Sequence, residues 1–376
     1  HVGQGIRGCV DDFMALIEAH LIPFVTARNA NDICASDHAL FVGRPGTFGQ
    51  RGANFAVQTC DLYIAIGTSL SLTQTGYNTK DFGRNARIVQ VDIDQAVLDK
   101  GTLRNPISIC MDAKAFIHEL FQQPGIERKW RDWVRQCQTW KAKYPVCLPE
   151  YKDEPKVNSY YFIDTLSEIA NETDTIVTDM GFAFQSTHQA WKVKKGQRLL
   201  TNCGLAPMGW GLPAAVGAAF ATGKRVICIT GEGGLMMNIQ ELSTIAHHKL
   251  NIKIFVFMNG GYATIKQTQE LGFDGRLMGV NKDTGLSFPD FGKIAKAHDI
   301  YHNVSLDNQF LVEQIEDTLN GDRPAIREIL LSPDQPQAPR SLNRRNPDGT
   351  MNPTSLEDSS PFLPPEVIAE EMKCAL

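Results

Sequence analysis

Between Val226 and Gly261 the chain passes twice through apolar, β-rich runs, and what joins them admits few folds. Val226-Ile227-Cys228-Ile229 is followed by the turn Gly231-Glu232-Gly233-Gly234. A helix pattern comes next, with Leu235, Ile239, Leu242 and Ala246 on one face. A second apolar run, Ile252 to Met258, ends on Asn259-Gly260-Gly261. Residues recurring at intervals of four, three and four share one side of a helix. Two strands joined through a helix run parallel, with a right-handed crossover. Ligands of such sheets bind beyond the carboxyl ends of the strands, where Glu232 and Asn259 both fall.

A carboxylate and an amide oxygen are hard donors. They suit Mg²⁺, which takes few protein ligands and completes its octahedron with phosphate oxygens and water. The glycines let backbone approach a diphosphate, and the helix N-terminus behind them offers free N–H groups. Read without chemistry, the same residues make a tight strand-to-helix turn and an ordinary Asn-Gly-Gly loop, and short glycine motifs alone decide nothing. The composite decides it: a glycine turn, a carboxylate and, 27 residues after Glu232, an asparagine opening Asn-Gly-Gly.

The 376 residues, 43% of them hydrophobic, are enough for two or three packed domains. Residues 11–120 alternate helix with short buried-strand patterns at Ile22 to Thr26, Asp61 to Gly67, Ala86 to Asp92 and Ile107 to Met111. That alternation predicts an open parallel sheet. A glycine turn, His1 to Arg7, leads into an amphipathic helix (Phe13, Leu16, Ile17, Leu21) with no strand pattern before it. Val91-Asp92-Ile93-Asp94 ends a strand on acids, placed either to meet a ribose hydroxyl or to cap the next helix. Glu127 to Lys143 reads as a helix with Trp133 and Trp140 on one stripe. Pro145 to Lys156, with three prolines, reads as a linker. The boundaries that follow are a domain at 1–145, a linker at 146–156, a domain at 157–335 and an extended arm at 336–376, aperiodic until Pro365 to Met372.

A formal charge of −5 offers no basic face to nucleic acid. No apolar run reaches the roughly 18–20 residues of a membrane span. Nine cysteines without a C-x-x-C pair read as the reduced thiols of a cytoplasmic protein. His247 and His248 are adjacent and are expected on different faces of their helix, which argues against a metal there.

The Glu232 turn with Asn259 resembles the signature of thiamine-diphosphate-dependent enzymes, a Gly-Asp-Gly turn followed at the same distance by Asn. The surrounding segments resemble the acetolactate synthase branch of that family. Arg51 to Lys100 looks like its middle domain and Thr201 to Gln269 like its diphosphate-binding domain. One position departs: Glu232 stands where the family usually has Asp. The resemblance implies an α/β chain of two open parallel-sheet domains with helices on both faces, the second a thiamine-diphosphate-binding fold. Mg²⁺ would be held by Glu232, Asn259 and the Gly261 carbonyl. Main-chain N–H groups of Gly181, Phe182 and Ala183 would wrap the diphosphate, and Gly233, Gly234 and Tyr262 would complete the cofactor site.

Cys203 to Ala218 resembles the family's G-A-M-G-F-G-L-P-A-A-x-G-A run. There a carbonyl, here that of Ala206, accepts from the cofactor's 4′-amino group. An apolar side chain, here Met208, wedges between the two rings, although Met208 read alone is core filling. The first domain looks flavin-related, but an arginine of that pocket is replaced near Ser69, which leaves FAD open. Thr268 replaces a tryptophan of the substrate pocket and points to a different acceptor.

The resemblance implies a carboligase or decarboxylase of 2-oxo acids, acetolactate synthase-like, with pyruvate as donor. Transfer of the two-carbon unit to a keto sugar or another acceptor is an alternative, and a non-catalytic cofactor-binding fragment is another. A flavin or nicotinamide oxidoreductase, read from parallel sheets alone, lacks a clean G-x-G-x-x-G. In the family the activating Glu lies on a partner subunit's N-terminal domain, which nothing here resembles. The expectation is therefore half an active site, in a homodimer or tetramer paired through the helix from Gly211 to Ala221 and the tail.

Overall fold

The computed structural model describes residues 1–123, 130–345, 348 and 350–373. They divide into two units, His1–Val146 with Ala338–Leu376, and Cys147–Gln337.

In the first unit β1 (Phe24–Val25) and β2 (Phe41–Gly43) pair in parallel, and β3 (Leu62–Ile66), β4 (Arg87–Asp92) and β5 (Ile107–Cys110) form a three-stranded parallel sheet. Val2 bridges Thr26 on one side and Ile66 on the other. Its N–H donates to Val25 O at 3.0 Å, and Gly3 N–H donates to Ile66 O at 3.1 Å. The first residues thus meet the ends of two strands through an isolated bridge at Val2, a stretch too short to show a period. Helix Val10–His20 buries Phe13, Leu16 and Ile17 in a core shared with Phe24, Ile66 and Ile117. Asp94 Oδ1 accepts from Ala96 N–H at 2.9 Å and caps helix Gln95–Leu98.

Helix Arg131–Lys143 carries the expected stripe: Trp133 and Trp140 meet edge to face at 5.5 Å. The helix's expected start at Glu127 lies outside the described residues. Where composition suggests a separate arm, residues 338–373 are built into this unit. Glu371 accepts from Trp140 Nε1–H and from Tyr144 O–H, both at 2.6 Å, and Asn54 Nδ2–H donates to Leu356 O at 3.0 Å. Short strands β6 (Asn343–Arg345) and β7 (Met351–Pro353) pair antiparallel within that tail. Its polar residues are partners for distant groups, which periodicity along the chain cannot reveal.

The second unit is one six-stranded parallel sheet. Its strands in chain order are β8 (Thr175–Thr178), β9 (Arg198–Leu200), β10 (Val226–Gly231), β11 (Ile252–Met258), β12 (Tyr301–Ser305) and β13 (Ala325–Leu330). In space the order is β12-β13-β11-β10-β8-β9. β10 and β11, covered on both faces, are almost wholly out of water, which is why they read as continuous Val/Ile/Phe runs. The proline-rich linker belongs to this unit: its 3-10 turn Pro149–Asp153 stacks Tyr151 on Tyr160, and Asn308 Nδ2–H donates to Tyr151 O at 3.1 Å.

The crossover expected as one helix is two, Glu232–Met237 and Glu241–His248. The break falls at Asn238, whose Nδ2–H is drawn off to Gly209 O at 2.8 Å. Leu235, Leu242 and Ile245 still fill the core. His247 and His248, expected apart, bring their rings edge to face at 4.7 Å. Among the described residues no three His, Cys, Asp or Glu side chains gather as a metal cluster, no disulfide forms, and no helix is long and apolar enough to cross a membrane.

Candidate metal and diphosphate site

β10 and β11 run in register from Val226 beside Ile252 to Gly231 beside Phe257. Their carboxyl ends therefore deliver Glu232 and the Asn259-Gly260-Gly261 turn to one place. Glu232 is buried, 2% exposed, and burial pushes its carboxyl up to about 7. The N–H groups of Gly260 and Gly261 oppose that rise, and Glu328 adds to it. Glu232 Oε1 and Asn259 Oδ1 are both buried without a hydrogen-bond partner among the described residues. Each such atom costs about 1–3 kcal/mol if left dry and unpaired. Two hard, bare oxygens from adjacent strands fit Mg²⁺, and a single carboxylate leaves its remaining positions to phosphate and water.

The rest of the Asn259 turn is pinned from a segment the sequence did not single out. Gly261 bridges Asn281, and Tyr262 N–H donates to Val280 O at 2.8 Å. Asn281 and Thr284 close that segment with a reciprocal cap. Tyr262 is thereby held against the glycine turn: a Cβ on Gly233 would lie 2.1 Å from Tyr262 Cε1 and 3.2 Å from Met208 Cε. Gly233, Tyr262 and Met208 are thus brought together as expected of one site.

Gly181, Phe182 and Ala183 follow β8, next to β10, and open helix Phe182–Ala190. The first N–H groups of a helix have no acceptor within it, so these residues present donors for an anion. A Cβ on Gly181 would lie 3.4 Å from Thr264 Oγ1, which places this turn against the helix that follows Tyr262. Ala206 sits on an exposed loop two residues before Met208, in the left-handed region at φ 53°. Thr268 is exposed, its hydroxyl donating to Thr264 O at 3.1 Å.

The residue that sequence reasoning missed is Asp179. It ends β8 as Glu232 ends β10, after the run Thr175-Ile176-Val177-Thr178, and that parallel was the available signal. It is 1% exposed, and burial pushes its carboxyl up against the hydrogen bonds it accepts. Those come from Met180 N–H at 2.8 Å, Gly209 N–H at 3.0 Å and Thr230 O–H at 3.0 Å, with Gly211 N–H adding another. A Cβ on Gly234 would lie 2.4 Å from Asp179 Oδ2, so the glycine turn closes over this carboxylate.

Comparison with known proteins bears on both units. Residues 179–329 match the model of the thiamine pyrophosphate enzyme C-terminal TPP binding domain, and residues 1–120 that of the thiamine pyrophosphate enzyme central domain. The chain is 34% identical over 291 residues to the acetolactate synthase large subunit of Cyanidium caldarium, which covers 74% of this chain and 48% of that protein. It is 31% identical over 340 residues to a probable acetolactate synthase large subunit of Methanocaldococcus jannaschii, covering 88% and 56%. To the acetolactate synthase large subunit of Lactococcus lactis it is 30% identical over 348 residues, covering 91% and 59%. The chain spans about half the length of the curated relatives it matches.

Proposed function

The chain belongs to the thiamine pyrophosphate enzyme family, and from that premise we propose that it works as part of an acetolactate synthase-like carboligase. It would take a 2-oxo acid, with pyruvate as donor, release carbon dioxide and pass the two-carbon unit to an acceptor. The observation that carries this reading is the pair of bare buried oxygens, Glu232 Oε1 and Asn259 Oδ1, at the ends of adjacent parallel strands.

When bound, thiamine diphosphate supplies a nucleophilic carbon and an electron sink. The chain's own work is to hold and shape it. Glu232, Asn259 and the Gly261 carbonyl hold Mg²⁺. The N–H groups at Gly181, Phe182 and Ala183, with the close backbone at Gly233 and Gly234, hold the diphosphate. Met208 and Tyr262 pack the organic part, and the Ala206 carbonyl accepts from its amino group. Asp179 is taken up by backbone donors. In the family the acid that moves a proton at the pyrimidine nitrogen lies on a partner subunit's N-terminal domain, and by that resemblance it would come here from a further, pyrimidine-binding domain, within a homodimer or tetramer paired through helix Gly211–Thr222 and the tail.

A flavin would lie at the carboxyl-end loops of the first unit. There Arg28 donates to Thr47 Oγ1 at 3.0 Å and stands over the Phe48 ring, a set that fits a phosphate. Visible absorbance of the purified protein reads whether FAD is taken. The reaction itself is tested by carbon dioxide release from pyruvate with saturating Mg²⁺ and thiamine diphosphate. We expect turnover only when the pyrimidine-binding domain is supplied. Ordinary rates, on the order of 10 per second, from the 376-residue chain alone would place the acid within it. No release under either condition would overturn the proposal.

A further inference from the structure

The geometry points to Asp179 as the positioning residue that sets the cofactor-facing loop against the metal turn. This rests on the reading of the site given above. Asp179 ties three segments that are distant in sequence. Its own strand end contributes Met180 N–H at 2.8 Å. The loop after Cys203 contributes Gly209 N–H, at 3.0 Å from Oδ1 and 3.1 Å from Oδ2. The end of β10, just before Glu232, contributes the Thr230 hydroxyl, at 3.0 Å from Oδ2.

Gly209 is gripped on both sides, since its carbonyl accepts from Asn238 Nδ2–H at 2.8 Å. Its φ of 85° suits glycine, and a Cβ there would lie 2.6 Å from Met237 Cβ. Upstream, Ala206 sits at φ 53° with its N–H on Asn202 O at 2.8 Å. A non-glycine residue in that region persists only where its surroundings over-determine it. With Asn202 at one end and Gly209 fixed at the other, the short span carrying Ala206 and Met208 has one direction to point. That direction brings Met208 to Gly233 and Tyr262. Asp179 itself is 1% exposed, and its hydrogen bonds run to Met180, Gly209, Gly211 and Thr230.

A residue that merely holds the fold together would weaken every ligand alike. A positioning residue separates two ligands: inorganic pyrophosphate with Mg²⁺ reads the metal and phosphate anchor alone, and thiamine diphosphate with Mg²⁺ reads anchor and loop together. Both are titrated calorimetrically into the full chain. For Asp179→Asn we expect pyrophosphate affinity within about threefold of wild type and thiamine diphosphate affinity reduced at least about tenfold. The near-ultraviolet circular dichroism of the bound cofactor should change as well. Asn238→Ala, which releases the other side of Gly209, should give the same selective loss to a smaller degree. Should Asp179→Asn not fold, Asn238→Ala and Thr230→Val carry the test. Equal losses for the two ligands, or unchanged thiamine diphosphate binding, would overturn the assignment. Wild-type protein that binds neither ligand would overturn the reading of the site itself, an outcome distinct from failure of the Asp179 variants.

Discussion

Asp179 and Glu232 end neighbouring strands of one sheet, are 1% and 2% exposed, and are both pushed up by burial. In depth they are near twins. Their partners separate them. Both oxygens of Asp179 are met by backbone or hydroxyl donors, whereas Oε1 of Glu232 meets none. A buried carboxylate saturated with donors is part of the scaffold. One with a bare oxygen, at the end of a strand whose neighbour ends on the bare oxygen of Asn259, has the free lone pairs a cation needs, which is why we propose Mg²⁺ there. Counting lone pairs tells the two apart where burial does not.

The contrast is broken most directly at Glu232. Glu232→Ala should weaken Mg²⁺-dependent thiamine diphosphate binding by at least a hundredfold in calorimetry, roughly 3 kcal/mol. It should cost about 1–2 kcal/mol of stability, less than loss of a fully partnered carboxylate, because the N–H groups of Gly260 and Gly261 lose an acceptor while an unpaired oxygen is removed. A variant that binds cofactor normally would show that the bare oxygens hold no metal. Asp179→Ala should behave the other way in urea denaturation, losing about 3 kcal/mol as several buried donors lose their acceptor. Stability equal to wild type would mean water replaces the carboxylate at no cost. Gly234→Ala should fall lower, at about 1–3 kcal/mol, since its Cβ would arrive 2.4 Å from Asp179 Oδ2 and one of the two must shift. A loss in Gly234→Ala that vanishes when Asp179 is already Ala would sharpen the point, as the two changes would then share one cause.

The same contrast explains what was legible in the sequence. The parallel crossover and the strand ends follow from local runs, and the expectation that Glu232 and Asn259 meet follows from a fixed separation; the register of β10 and β11 brings the two carboxyl ends side by side. The family resemblance reached both halves of the chain for the same reason, since its motifs are local. Asp179 was passed over because its donors arrive from Gly209, Gly211 and Thr230, segments 30 to 51 residues away. The break at Asn238 was invisible because the apolar spacing of Leu235 and Leu242 continues across it, while the partner of the Asn238 amide, Gly209 O, lies 29 residues away. The tail read as an arm because Glu371 looks like any surface acid until Trp140 and Tyr144 are placed beside it. Side chains that satisfy distant backbone or buried groups leave no period along the chain.

The effect confined to the narrowest conditions lies at the other end of β11, where the comparison extends to a cation. Lys253 is fully buried and its ammonium donates to Gly321 O at 2.9 Å and Arg323 O at 2.6 Å, so like Asp179 it is partnered by backbone. Carbonyl dipoles offset less than a full counter-charge does, and burial lowers its pKa to about 8 from 10.5, with Arg225 adding to the fall and Asp322 opposing it. Below pH 8 the lysine is charged in both folded and unfolded chains, and the folded state bears the whole cost of burying it. Between about 8 and 10.5 the unfolded chain holds more protons, so stability attributable to this group rises with pH. Above that window both states are neutral and the rise ends. The difference in unfolding free energy between wild type and Lys253→Met, followed across the window, removes the titration of every other group. It should climb in favour of wild type by up to roughly 3 kcal/mol. A flat difference would mean that the two carbonyls compensate the buried ammonium in full. Saturation with backbone partners would then be enough to hold a cation on this sheet, as it holds Asp179.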